Sequence, residues 1–157
     1  MTKPIGDRMP QDVVRAFDGR DLERKIGPAY VLVTVDPNGE PRPCMLSAGE
    51  VLAVDDRRLR VALWPKTHTV QNLAAGGPTL FCYVAPGTVV YLRGRARSLG
   101  QDDSTKLERF EIEVESAESD THAGMPVTQT ITFSIGSADP AEVVRSWARQ
   151  VESLRDA

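Results

Sequence analysis

With only two histidines and two cysteines in 157 residues, the chain has little material for metal or nucleophile chemistry. Cys44 and Cys82 cannot build a disulfide scaffold or a four-cysteine zinc cluster. Each lies in an apolar, strand-like run, PCML and LFCYV, which reads as a buried, reduced thiol. His68 and His122 lack companions for a metal site, and no Ser-His-Asp arrangement can be assembled around them. Neither a phosphate-loop nor a dinucleotide-type glycine fingerprint is present. No apolar run is long enough for a membrane helix, and MTKPIGDRMPQD lacks the apolar centre of a signal peptide. These absences point to one soluble, cytoplasmic domain over residues 1–157, with 1–10 as a flexible N-terminus and no membrane partner.

What the chain does have is an ordinary globular composition, 41% hydrophobic and 26% charged. A domain of this length buries roughly 70% of its unfolded surface, so it needs no covalent staple. The net charge of −3 argues against a nucleic-acid binder. The charge is uneven: residues 1–100 carry 14 Lys and Arg against 10 Asp and Glu, whereas 101–157 carry 5 against 12. The first two thirds therefore leave room for a local anion site.

Residues 11–25 carry Val13, Val14, Phe17 and Leu22 at helical spacing, interrupted near Gly19. AYVLVTV at 29–35 is a strand, DPNG at 36–39 a turn, and PRPCMLS at 41–47 the returning arm. Pro41 and Pro43 cannot donate to a ladder, which puts that arm at a sheet edge. Further strands are expected at 50–55, 58–64, 79–85, 88–98 and 106–115, the last with Phe110, Ile112 and Val114 on one face. Residues 116–126 read as a polar loop and 127–135 as a strand. A terminal helix at 140–154 has Asp139 as its cap, Pro140 at its start and a stripe through Trp147, Val151 and Leu154. So many short antiparallel strands favour a mainly β fold, a closed or nearly closed barrel with accessory helices.

WPKTHTVQNL, residues 64–73, runs from a strand into a short helix whose first positions are Thr67, His68 and Thr69, with Lys66 before them. The opening N–H groups of a helix lack internal partners, so two threonine hydroxyls and a lysine or histidine beside them suit a phosphate. The plainer alternative is that Thr67 only caps the helix. Arg93, Arg95 and Arg97 alternate along one strand face, which suits either an anionic ligand or cross-strand pairing with the glutamates of 108–115. Gly94 between them suggests a bulge or a close backbone approach. Trp147 reads as a core or interface anchor.

The order of helix, PRPCMLS hairpin arm, WPKTHTVQNL, TLFCYV and VVYLRGRAR resembles the pyridoxamine 5′-phosphate oxidase-like FMN-binding split-barrel family. The resemblance runs from about residue 11 to the end. It implies a split β-barrel, a homodimer, and FMN bound at the dimer interface in an oxidoreductase of unidentified small-molecule substrate. By that resemblance Arg42 and the Thr67, His68, Thr69 triplet hold the FMN phosphate together with Lys66. Cys44, Met45, Leu46 and Trp64 line the flavin ring, and no catalytic side chain or metal is implied. The family's Ser-Arg-Lys-like triplet is replaced here, which argues against the oxidase activity proper. It also leaves two alternatives open: a deazaflavin-dependent reductase, whose acidic cofactor tail would engage Arg93, Arg95 and Arg97, or a haem-binding or non-catalytic sensing member.

Overall fold

The computed structural model describes residues 1–157 as a curled antiparallel sheet with three helices. The strands are β1 (Lys3–Gly6), β2 (Tyr30–Val35), β3 (Pro41–Leu46), β4 (Val51–Ala53), β5 (Arg58–Leu63), β6 (Pro78–Ala85), β7 (Thr88–Gln101) and β8 (Glu108–Ser119). The helices are α1 (Gln11–Ala16), α2 (His68–Ala74) and α3 (Pro140–Asp156). Hydrogen bonding runs in the order β3-β2-β6-β7-β8-β5-β4, with β1 added to β8. The two ends of this path, β3 and β4, are joined by a 3₁₀ turn at Ala48–Glu50 and not by a ladder. The barrel is therefore split, as expected.

Alternation decides which residues enter the interior. Tyr30, Leu32 and Thr34 on β2 are buried while Val31, Val33 and Val35 are only half-buried on the outside. Phe17, just after α1, is driven into the barrel mouth and meets Tyr30 and Phe81 edge-to-face at 4.7 and 5.4 Å. β4 and β5 are covered on both faces. Val51, Leu59 and Val61 join the barrel core, while Leu52 and Ala62 pack under Trp147, Val151 and Leu154 of α3. Asp139 caps α3 as its sequence suggests, its Oδ1 accepting from Ala141 N at 3.1 Å.

The edge position expected for the proline-bearing arm is observed, since β3 pairs only with β2. Three expectations differ from the fold. Residues 116–119 are not loop: β8 continues to Ser119 because β7 and β1 both pair with it there. Within the N-terminal stretch read as flexible, Lys3–Gly6 forms β1 against that extension. Residues 127–135 form an extended strap with one bridge, Pro28 to Thr132, in place of a strand. The edges of β2 are occupied by β3 and β6, so the strap bonds the segment before β2, through Ala29 N to Ile131 O and Phe133 N to Gly27 O, and the β6–β7 turn, through Gly87 N to Val127 O.

Arg93, Arg95 and Arg97 resolve as an outer face paired with Glu118, Glu115 and Glu111 of β8. Gly94 lies at a register shift, and a Cβ there would be driven into the Glu113 carbonyl oxygen.

Candidate functional site

The split leaves a slot between β3, the end of β5 and the start of α2. A cavity of about 130 Å³ occupies it, lined by Cys44, Met45 and Leu46 from β3, Leu63 and Trp64 from the end of β5, Thr67, Thr69 and Glu50. A second cavity of about 410 Å³ shares Met45, Leu46 and Glu50 and continues toward Trp147, Phe133 and Ile131 of the strap. The two form one largely apolar groove. Trp64 is 69% exposed and Met45 49%, although apolar groups of this size would gain about 1.5–3 kcal/mol each from full burial.

Of the nine expected site residues, the slot brings together Cys44, Met45, Leu46, Trp64, Thr67 and Thr69. Thr67 caps α2, its Oγ1 accepting from Val70 N at 3.2 Å and donating to Trp64 O at 3.3 Å. Thr69 is buried and lines the slot together with Cys44. Burial pushes the Cys44 thiol above its ordinary value, so it remains protonated and is no nucleophile at neutral pH. Lys66, in the left-handed region at φ 65°, and His68 are exposed around the helix start.

Arg42 lies outside the slot lining. Its Nε and Nη2 donate to the Asp36 carboxylate at 2.8 and 2.6 Å, and Asn72 Nδ2 donates to the same carboxylate at 2.8 Å. Asn72 Nδ2 also donates to the buried Thr34 hydroxyl at 3.0 Å, tying α2 to β2. Hydrogen bonds from Arg42 and Asn72 hold the Asp36 carboxyl down at about 2. A carboxyl depressed in the folded state supports folding above its unfolded value near 4, and loses that contribution as pH falls toward 2. The Asp36 carboxyl carbon is expected to titrate near pH 2 by carbon-detected NMR. Asn72→Ala should move that midpoint upward; an unchanged midpoint would separate Asn72 from the network.

Glu50 is a slot residue that motif reading passed over. Its Oε2 accepts from Ser47 N at 2.6 Å and from Ser47 Oγ at 3.0 Å, across the 3₁₀ turn that bridges the split. The signal was present as S-x-x-E in SAGE, a reciprocal capping pattern. Burial raises its carboxyl above the ordinary range, and the Ser47 donors work against that rise. Gly49 beside it abuts Trp147, since a Cβ there would overlap the indole ring. Trp147 thus anchors the turn from the wall of the second cavity.

In chemical terms, Met45, Leu46, Leu63 and Trp64 offer walls for a flat apolar ring, and the threonines offer hydroxyls at one end of it. Exposed Lys66 adds a cation near the helix start, with the His68 imidazole beside it. That donor set suits a flavin ring; outside the slot lining, Asp36 already occupies one edge of Arg42.

No protein-family model matches the chain. Among curated proteins, YclD of Bacillus subtilis is 29% identical over 149 residues, covering 94% of this chain and 96% of that protein. Among solved structures, a candidate pyridoxamine 5′-phosphate oxidase from Lactobacillus delbrueckii aligns with TM-score 0.58 at 17% identity, over 73% of this chain and 98% of that one. HupZ of Group A Streptococcus aligns with TM-score 0.55 at 12% identity, over 80% of this chain and 99% of that one. The eight-stranded split sheet and these alignments together establish that the chain has the split-barrel fold of the pyridoxamine 5′-phosphate oxidase-like proteins.

Proposed function

We propose that this chain is a flavin-binding oxidoreductase-like protein that holds FMN in the β3–α2 slot as a homodimer. The observation that carries the reading is the pairing of exposed Trp64 with exposed Met45 beside the Thr67–Thr69 helix start. Two large apolar groups at the mouth of an apolar groove gain by covering, and a planar ring covers both. A bound flavin supplies the hydride or electron transfer; the chain supplies orientation and exclusion of water. Leu46 and Leu63 close the inner wall of the slot, and Thr67 fixes the first turn of α2 at its end. Glu50, pinned by Ser47, holds the turn bridging the split.

The homodimer rests on the outer face of β3, β2 and β6. There Pro43, Met45, Val33 and Leu80 are exposed or half-buried on a sheet whose β3 edge has no further strand. The strap covers only one end of that face, where Gln129–Ile131 approach Val31 and Cys82. An apolar sheet face of this kind next to an open edge favours a second copy. The two half-buried free cysteines accord with a reducing, cytoplasmic setting.

The test is the visible spectrum of the full-length protein after FMN addition and desalting, with light scattering on the same sample. Retained flavin near one per chain on a dimer is expected. Quenching of tryptophan emission on binding should weaken markedly in Trp64→Phe, because exposed Trp64 lines the slot itself, whereas buried Trp147 lines the neighbouring cavity. A colourless monomer that refuses FMN would overturn the reading.

A further inference from the structure

Outside the slot lining, against the α2 helix whose first turn borders the slot, Arg42 carries a feature that a phosphate-binding arginine does not need, a carboxylate built onto its donor edge. Asp36 is fixed by the hairpin turn, with its N donating to Glu40 O and its O accepting from Gly39 N, both at 2.8 Å. The β2–β3 register places Arg42 opposite Thr34, one strand position from a ladder end that delivers Asp36 alongside. The guanidinium then meets the carboxylate side-on, through Nε at 2.8 Å and Nη2 at 2.6 Å. Asn72 holds the carboxylate from the α2 side, so Asp36 is positioned from two elements at once. Its side chain is only 12% exposed, against 41% for Arg42, so the solvent-facing partner of the pair is the cation. His68, on the same helix four residues before Asn72, is the other titratable group near Asp36.

From this geometry we infer that Asp36 is a specificity-determining residue that cancels Arg42, so the site selects its flavin by the ring and gains little from a terminal phosphate. The inference rests on the flavin reading above and concerns its ligand class: flavins with neutral polar tails bind about as well as phosphorylated ones. A phosphate dianion gains from a guanidinium mainly when the fork is free and its charge uncompensated. Here the side-on edge is occupied, and a negative charge sits within hydrogen-bond distance behind it. Lys66 remains as an exposed cation, whose attraction is weakened by water and salt.

The experiment is a flavin-fluorescence titration of the full-length protein with FMN and with riboflavin. Wild type should bind the two within about fivefold of each other. Asp36→Asn frees the fork and should tighten FMN by about tenfold or more, as expected for a charge-assisted bond, with riboflavin unchanged. The double variant Asp36→Asn/Arg42→Gln removes both charges and should return the FMN-to-riboflavin ratio to the wild-type value. A wild-type preference for FMN above about fivefold, or an Asp36→Asn ratio equal to wild type, overturns the inference while leaving the flavin site standing. The wild-type ratio decides even if a variant fails to fold. If wild type binds neither flavin, the flavin reading falls and this inference falls with it.

Discussion

Arg60→Met is expected to destabilise the protein by about 3 kcal/mol. Arg60 joins three elements. Its Nε donates to Glu111 Oε2 on β8 at 2.8 Å, and its Nη1 donates to Leu154 O and Ala157 O at the end of α3, each at 2.8 Å. Both members of the ion pair are shielded, at 10% and 6% side-chain exposure. Removing the guanidinium leaves Glu111 with Arg97 alone and strips the last turn of α3 of its cationic cap. Burial alone would raise the Glu111 carboxyl, but its bonds to Arg60 and Arg97 outweigh burial and lower it. That contribution is present above the unfolded glutamate value and lost on acidification through the lowered one, so the Arg60→Met deficit should shrink in acid. A urea midpoint shift at neutral pH, and a melting temperature lower by roughly 6–12 °C, would register the effect. Arg60→Met/Glu111→Leu should recover much of the loss, since no buried charge is then left bare, but not all, because the α3 carbonyls still lack a donor. A single variant within about 0.5 kcal/mol of wild type would show that α3 is held by its apolar stripe alone.

Gly94→Ala is the second substitution with a large expected effect, about 3 kcal/mol. Its Cβ would enter the space of the Glu113 carbonyl oxygen and stand 3.1 Å from Ile112 Cγ2. The obstacle is backbone, so no rotamer change on β8 can relieve it; β7 and β8 would have to part. That separation would also disturb the Thr79 hydroxyl, which donates to Gly94 O at 2.9 Å from the neighbouring β6. Gly100→Ala is the control on the same strand. Its backbone has φ +84° but nothing lies within 4 Å of the added carbon, so only the left-handed penalty of about 1 kcal/mol applies. Chemical denaturation of both variants measures the difference. Equal losses would mean that the β7–β8 ladder yields more easily than its close approach implies.

The arrangement of elements was largely readable from local chemistry. Alternation at Phe110, Ile112 and Val114, the DPNG turn and the Asp139-Pro140 helix start each state their structure within a few residues. Two misreadings have one physical cause, the availability of strand edges. SAES at 116–119 looks like loop by composition, yet it is strand because β1 and β7 lie on either side of it. VTQTITFSI looks like strand by composition, yet it crosses as a strap because β2 already has both its neighbours.

The same division runs through the candidate site. The Thr67 cap and the apolar character of Met45, Leu46 and Trp64 are local properties, carried by residue type and spacing, so the chain's chemistry alone set them. The partner of Arg42 is not local in that sense. Asp36 lies six residues away across a turn, and whether its carboxylate faces the guanidinium depends on hairpin register and on Asn72 arriving from α2. Glu50 belongs to the slot only because the barrel stays open between β3 and β4 and the Ser47–Glu50 turn spans the gap. Side-chain type establishes which interactions are affordable; packing in three dimensions selects which of them are made, because each charged group has several partners within reach of its chain and only one geometry that folds.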